Sequence, residues 1–357
     1  MNIEFRKLEA NEYPKTRALW EDIFVEDTKA FLDYYYQIKA TENEIYGAVE
    51  DNEIRAMLHL NPYPLSMNGK ERNSHYIVAV ATDKNYRKKG LMASLLKRSM
   101  QSMYDRREGF TFLMPAAEAI YHPFDFRFVY AQAQMKKKKT VMADQVIPLK
   151  AQPEDCQELA RFATAYLKKR YGIYAIRDEH YYETVLAELQ SEKGHMEIFR
   201  EKTDAGKILG CFLSGGEEVL EVREPMVLPK WQNKIGYDFS YSVKKPMIMA
   251  RILHLETLMR CAKAREDMQC EIGVWDPLLE GNNGTFHIYG KKGAFVSIEK
   301  QTEVGETISI AALTSFLFGY QTLEQSLAEE HDNLSEKSKK ELGKIIPFSP
   351  IYLNEIV

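Results

Sequence analysis

Apolar residues along this chain repeat with two periods that alternate from segment to segment. "IEFRKL" (Ile3 to Leu8) alternates like a short strand, and Leu19, Trp20, Ile23 and Phe24 fall at helical spacing. "EIYGAVEDNEIRAMLHLNPYPL" (Glu44 to Leu65) alternates on both sides of Asp51-Asn52, the pattern of a β-hairpin. "HYIVAVAT" (His75 to Thr82) is apolar on both faces and predicts a central strand. After Gly90 the apolar positions Leu91, Met92, Leu95, Leu96, Met100 and Met103 lie on one face of an amphipathic helix. "FTFLMPA" (Phe110 to Ala116), entered through Gly109, closes the series as another strand. Strand, helix, hairpin, strand, helix, strand is the order of a mixed α/β domain.

The pattern restarts near residue 141. "TVMADQVIPLK" is strand-like, and "QPEDCQELARFATAYLKKRYG" is a helix with Pro and acids in front and Gly172 behind. "MEIFREKTDAGKILGCFLSG" (Met196 to Gly215) is a second hairpin, and the strand "EEVLEVREPMV" follows it. A basic loop and helix do not come next; Pro229 and "KWQNKIGYDFSY" do. This predicts a weak internal duplication whose second copy has lost the loop. A third, α+β segment begins near "PMIMARILHLETLMR" (Pro246 to Arg260). It holds "CEIGVWD", "GAFVSIEK" and the apolar helix "ISIAALTSFLFGY", and it ends on "IPFSPIYLNEIV", too apolar for a loose tail. The length of 357 residues favours two or three domains. The expected boundaries are 1–140, 141–245 and 246–357.

Composition narrows the function. A formal charge of −4 excludes a general nucleic-acid binder, so a local basic patch needs a local reason. "MKKKK" (Met135 to Lys139) reads as a solvated strand end that discourages edge pairing. Cys156, Cys211, Cys261 and Cys270 form no CxxC pair, and the eight histidines are scattered, so no metal is expected. The N-terminus has no apolar signal core, and the longest apolar run is shorter than the roughly 20 residues that span a bilayer. A soluble, cytoplasmic protein without membrane contact is expected.

The candidate chemistry starts at "ATDKNYRKKGLMASLL" (Ala81 to Leu96). The first N–H groups of the helix after Gly90 have no partner, and the macrodipole adds about half a positive charge there. Gly90 admits close approach to the backbone, and Arg87, Lys88 and Lys89 add full charges. Together they suit a pyrophosphate. The spacing is neither a P-loop nor a dinucleotide fingerprint; taken alone, "RKKG" is a charged helix entry. Its setting, after "YIVAVAT" and before "FTFLMPA", resembles the acetyl-CoA site of the GNAT superfamily, with its R/Q-x-x-G-x-G/A loop. Met92 departs from the small residue usual at the last position and would narrow the approach to the phosphates. Downstream, "EAIYHPFDFRFVY" (Glu118 to Tyr130) is similar to the segment in which GNAT enzymes place a Tyr before an aromatic-Gly-aromatic turn. Here Asp125 replaces the Gly, which turn geometry tolerates.

The whole chain resembles the Eis (enhanced intracellular survival) acetyltransferases: a GNAT domain, a degenerate GNAT-like domain and a final domain similar to a sterol carrier protein. That resemblance implies cofactor contacts at Val78, Ala79 and Val80, at Arg87, Lys88, Lys89, Gly90, Leu91, Met92 and Ala93, and at Ala116 and Ala117. It implies acetyl-CoA as cosubstrate, Tyr121 as general acid and the α-carboxylate of Val357 as general base. It further implies a small-molecule primary amine as acceptor, including aminoglycoside-like or polyamine-like ones, and a homo-oligomer such as a hexamer. Two other readings stay open: a protein or peptide lysine acetyltransferase, and a non-catalytic acyl-CoA or lipid sensor. "YYY" (Tyr34 to Tyr36) fits either cleft lining or core, and Asp27 or Glu118 could attract a cation.

Overall fold

A computed structural model describes residues 3–136, 138–203, 206–215, 221–238, 242–301 and 305–355. The first unit runs β1 (Glu4–Lys7), α1 (Arg17–Ile23), α2 (Lys29–Gln37), β2 (Glu44–Glu50), β3 (Glu53–Met67) and β4 (Lys70–Thr82). These four strands pair as antiparallel neighbours in chain order. The β2–β3 turn is the one the pattern predicts: Asp51 and Asn52 both take positive φ, 51° and 65°, as a two-residue hairpin requires. Next come α3 (Leu91–Asp105), β5 (Phe110–Leu113), α4 (Glu118–Tyr121), β6 (Arg127–Lys136) and β7 (Lys138–Met142). The buried face of α3 is Leu91, Leu95, Leu96, Ser99, Met100 and Met103, laid on the sheet with Leu58, Leu60 and Ile77.

The second unit repeats the first. It runs β8 (Val146–Lys150), α5 (Cys156–Leu167), β9 (Ile173–Ala175), α6 (Glu179–Ser191), β10 (His195–Glu201), β11 (Ile208–Ser214) and β12 (Glu221–Val227). Strand β8 pairs with β10, β10 with β11 and β11 with β12, all antiparallel. Strand, two helices, hairpin and strand therefore recur with the same neighbour order. After β12 a 3-10 turn at Pro229–Trp231 leads to β13 (Ile235–Asp238), with no counterpart of α3.

The two units share one sheet, in the order β1-β2-β3-β4-β5-β14-β6-β12-β11-β10-β8. Strand β14 (Ser242–Ile252) lies antiparallel between β5 and β6, with Met249 opposite Leu113 and Lys245 opposite Gln132. Residues 246–252 thus complete the first unit's sheet, and position 245/246 falls inside a strand. The C-terminal unit holds α7 (Leu255–Met259), β15 (Lys263–Ala264), β16 (Met268–Trp275), β17 (Gly284–Gly290), β18 (Ser297–Gln301) and β19 (Thr307–Ser309). It continues with α8 (Ile310–Leu317), α9 (Leu323–Glu329), α10 (Glu336–Leu342), β20 (Ile345–Ile346) and β21 (Ile351–Tyr352). Its sheet has the order β18-β17-β16-β19, and every residue of α8 is buried, Thr314 and Ser315 included, as the apolar run around them predicts. Among the described residues no helix is long and apolar enough to cross a membrane.

The chain's end is drawn back to the first unit. Strand β21 runs parallel to β9, and β9 pairs with β3. Gly172 makes the close approach possible: its N–H donates to Pro350 O at 2.8 Å, and a Cβ there would stand 2.1 Å from Phe348 O. Gly172→Ala is expected to cost about 1–3 kcal/mol through this clash, read as a lower denaturant midpoint at unchanged m-value.

Candidate active site

Strands β4 and β5 are parallel but pair only at Tyr76–Phe112 and Ile77–Leu113. Strand β5 ends at Leu113 while β4 continues to Thr82, so the two strand ends part. On its other edge β4 carries a bulge: Met57 faces Ala81 and His59 faces Val78, which leaves Ala79 and Val80 opposite Leu58 alone. Ala79 takes φ 52°, uncommon for a residue with a Cβ. A bulge leaves the extra residue out of the ladder and re-aims the backbone. Val78, Ala79 and Val80, singled out from the sequence, therefore form the irregular edge of the split. Val78 and Val80 are partly open, and Ala79 is buried.

The basic loop lies at the wide end of the split, in front of α3. Lys88 (φ 60°) and Gly90 (φ 79°) are both left-handed, separated by Lys89. Gly90 is the N-cap of α3 and brings no side chain to its amides. A Cβ at Gly90 would meet nothing within 4 Å, so the glycine serves the backbone angle and leaves the amides open. Arg87, Lys88 and Lys89 are exposed, and among the described residues none has a carboxylate within ion-pair distance. Lys89 Nζ rests 4.4 Å from the centre of the Tyr86 ring, and the Tyr86 hydroxyl is held by Glu50. Leu91 is buried beneath the helix start. Met92 and Ala93 are half-buried, and Met92 turns its side chain toward the core cluster under α3. Substituting Met for a small residue thus adds packing below the loop. Replacing Arg87, Lys88 and Lys89 together by Ala is expected to weaken binding of CoA, used as a pyrophosphate-bearing probe, about tenfold or more at low salt. The gap should shrink as ionic strength rises. Calorimetric titration with CoA across a salt series checks this.

Tyr121 ends α4, past the exposed Ala116 and Ala117. It is 6% exposed and packs edge-on against Phe126 at 5.9 Å between ring centres. Among the described residues its hydroxyl has no hydrogen-bond partner, and burial pushes its pKa up to about 12. The turn after it is fixed from behind. Asp125 sits at φ 61°, the geometry for which a Gly would ordinarily serve. Arg251 of β14, fully buried, donates to Phe124 O at 2.9 Å and pairs with Asp276 of the C-terminal unit. Arg127 donates to His122 O and Phe126 O and grips Glu330 with two bonds. The Tyr121 segment is thus held by two arginines whose acids come from the third unit. His122, Glu329 and Glu330 could bring three donor atoms within 4.8 Å of one another, but Glu330 is taken by Arg127.

A cavity opens between α2 and β3 of the first unit and α6 of the second. Tyr34, Lys39, Tyr63, Glu188, Asn354 and Glu355 are among its walls. The chain's end reaches it: Asn354 accepts from Gln132, and Glu355, 3% exposed, binds Arg177 at 3.3 Å and the Tyr181 hydroxyl at 2.6 Å. Val357 lies outside the described residues. Tyr76 links this cavity with the split strands. Its ring lies 6.5 Å from that of Tyr63 between centres, and burial raises the pKa of its hydroxyl. The three tyrosines of "YYY" divide the two roles: Tyr34 lines the cavity, Tyr35 is core, bonded to His59 and Asn43, and Tyr36 packs against the same core with its hydroxyl on Thr16. Asp27 is occupied by the Trp20 indole at 2.7 Å, and neither it nor Glu118 is on the cavity wall. Lys39 and Glu42 share one 3-10 turn, but Glu188 and Glu355 carry no local motif that joins them to it; only the docking of α6 and β21 brings them there.

Residues 4–129 match the family model "Acetyltransferase (GNAT) domain", and residues 254–350 match "Sterol carrier protein domain". Similar solved structures cover nearly the whole chain. A probable N-acyltransferase from Enterococcus faecalis is 14% identical at TM-score 0.79, covering 97% of this chain and 98% of its own. A GCN5-related N-acetyltransferase from Anabaena variabilis is 15% identical at TM-score 0.78, covering 98% and 99%. Eis1 from Mycobacterium abscessus is 12% identical at TM-score 0.72, covering 96% of each. At these identities the likeness is one of fold. No curated protein matches the chain by sequence.

Proposed function

With residues 4–129 a GNAT-type acetyltransferase domain, we propose that this enzyme transfers the acetyl group of acetyl-CoA to a small primary amine in the α2–α6 cavity. The observation that carries the reading is the split between β4 and β5, with an uncompensated cationic loop at its wide end, while Tyr76 at its paired end packs on Tyr63 of the cavity wall. The pyrophosphate would rest on the amides of Leu91 and Met92 and on Arg87, Lys88 and Lys89. Extended along β4, the pantetheine arm would place the thioester carbonyl by the Val80 amide, re-aimed by the bulge at Ala79, which would stabilise the oxyanion.

A primary amine has a pKa of about 10.4 and must shed a proton before it attacks. The α-carboxylate of Val357 is our candidate base, supported by the burial of Asn354 and Glu355 in the cavity wall. The amine nitrogen bonds to the carbonyl carbon, the C–S bond breaks, and the Tyr121 hydroxyl supplies the proton that leaves CoA as a thiol. The four free, buried cysteines are compatible with a reducing cytoplasm. Release of CoA thiol with a panel that includes polyamines, aminoglycosides and lysine peptides tests the proposal. Turnover of small amines supports it; turnover of peptides alone moves the acceptor to protein. Acetyl-CoA binding without turnover of any amine leaves a sensor.

A further inference from the structure

The turn that carries Tyr121 is fastened at three carbonyls, and both fasteners are anchored in the C-terminal unit. After Tyr121 the chain bends through the 3-10 turn His122–Phe124 and closes on itself: the Phe126 amide donates to Tyr121 O at 3.4 Å. Arg127, the buried first residue of β6, donates through Nη1 to His122 O at 3.0 Å and to Phe126 O at 2.8 Å. Its Nε and Nη2 take the two oxygens of Glu330, which caps the end of α9. Arg251 Nε donates to Phe124 O at 2.9 Å. Its Nη2 donates to Asp276, with the Asp125 carboxylate 3.6 Å away. Asp276 is itself fixed, accepting from the Leu278 and Leu279 amides and from Asn282, each at 2.9 Å.

Stability alone is a poor reason for this arrangement. The Arg251 and Asp276 side chains are both fully buried. Desolvating such a pair offsets much of its attraction, and apolar residues of similar volume often serve as well. What a guanidinium adds is direction, because its donors leave a planar fork at fixed angles. Here the forks meet the carbonyls of residues 122, 124 and 126, alternate positions of one turn. The Tyr121 hydroxyl has no hydrogen-bond partner of its own among the described residues, so its place is set by that backbone and by the Phe126 ring. A displacement of about 1 Å at a reacting group can cost about 10²-fold in rate.

We propose that the Arg127–Glu330 and Arg251–Asp276 pairs are positioning residues, through which the C-terminal unit fixes the Tyr121 hydroxyl for proton transfer to the leaving thiolate. This rests on the reading of Tyr121 as the general acid. The test is a double-mutant cycle on kcat, with an amine that the unmodified full chain acetylates. Arg127→Met leaves His122 O and Phe126 O without their donor, and Arg127→Lys keeps the charge but not the fork. Arg251→Met opens the second pair. Arg127→Met is expected to lower kcat about tenfold and to leave the KM for acetyl-CoA within about twofold, and Arg127→Lys to recover part of the loss. In a Tyr121→Phe background, Arg127→Met is expected to change kcat by less than about twofold, because the group it positions is already gone. An equal loss in both backgrounds overturns the proposal and makes the pairs structural. So does an unchanged kcat in Arg127→Met and Arg251→Met while Tyr121→Phe is slow, and the acid then stands without them. An unchanged kcat in Tyr121→Phe removes the acid, and the proposal with it. If Arg251→Met, which strands Asp276, fails to fold, the Arg127 variants decide alone.

A second measurement is independent of turnover. With 3-fluorotyrosine placed at position 121, the fluorine resonance followed against pH reads the ionisation of that hydroxyl. Burial raises its midpoint above that of the free amino acid. Arg127→Met is expected to let water reach the hydroxyl and bring the midpoint down, at a melting temperature that shows the chain still folded, and Arg127→Lys to restore it in part. A midpoint that neither Arg127→Met nor Arg251→Met moves overturns the positioning role. If no amine is acetylated, the acetyl-transfer reading fails by itself, and this midpoint decides whether the pairs place the hydroxyl.

Discussion

Appending three residues after Val357 is expected to lower kcat by about 10²–10⁴-fold, the usual worth of a positioned general base, while acetyl-CoA binds as before. Removing "NEIV" (Asn354 to Val357) is expected to do the same. The expectation rests on how the tail is delivered. Gly172, β9 and β21 tie it to β3, and Gln132, Arg177 and Tyr181 hold Asn354 and Glu355 inside the cavity wall. The proposed base is the α-carboxylate of Val357, two residues beyond Glu355 in sequence. An extension converts that carboxylate to an amide with no basicity at neutral pH. Acetyl-CoA affinity by titration calorimetry is the control, because the cationic loop and the split strands do not involve the tail. Undiminished turnover in the extended protein would remove Val357 as the base, and Glu355 would then be the carboxylate to examine.

What was legible in the sequence is what local chemistry encodes. The hairpin at Asp51-Asn52, the amphipathic face of α3 and the left-handed glycine ahead of it each depend on a few consecutive residues. The recurrence of strand, hairpin and strand in the second unit was visible for the same reason, since the period survives although the residues differ. Pairings between distant segments were not visible. "PMIMARI" reads as an apolar run, and nothing in it says that the strand will enter between β5 and β6 rather than open the C-terminal unit. Arg251 and Asp276 are 25 residues apart in sequence, and Arg127 and Glu330 are 203 apart, so neither clamp on the Tyr121 turn has a local signature. The cavity follows the same rule. Tyr34 and Lys39 belong to one segment, but Tyr181, Glu188 and Glu355 join them only through packing of the second unit and the tail. Asp27 shows the converse error: an acid picked for its charge alone is spent on a neighbouring indole.

Tyr121→Phe is expected to lower kcat by about 10²-fold with little change in the KM for acetyl-CoA. The substitution removes one oxygen and keeps the ring that packs on Phe126, so the fold and the loop at Arg87 to Gly90 are untouched. The hydroxyl is suited to give up a proton late. Burial holds its pKa at about 12, so it is fully protonated through the neutral range. An ordinary thiolate has a pKa of about 8.5 and would accept that proton poorly. A thiolate leaving into the same buried place is itself raised by desolvation, which brings donor and acceptor back toward a match. The sign of the pH dependence follows. A free tyrosine loses its proton near pH 10. With the pKa raised, the acid form persists above that, so kcat is expected to show no fall attributable to Tyr121 between about pH 8 and 10. A kcat–pH profile of the unmodified protein, measured where it stays folded, checks this. An alkaline limb near pH 10 that Tyr121→Phe removes would show an acid with an ordinary pKa. Equal kcat in Tyr121→Phe would return Tyr121 to the packing role that its 6% exposure also allows. In that outcome the thiolate would leave without a side-chain acid, and the arginines at 127 and 251 would be holding a turn for its shape alone.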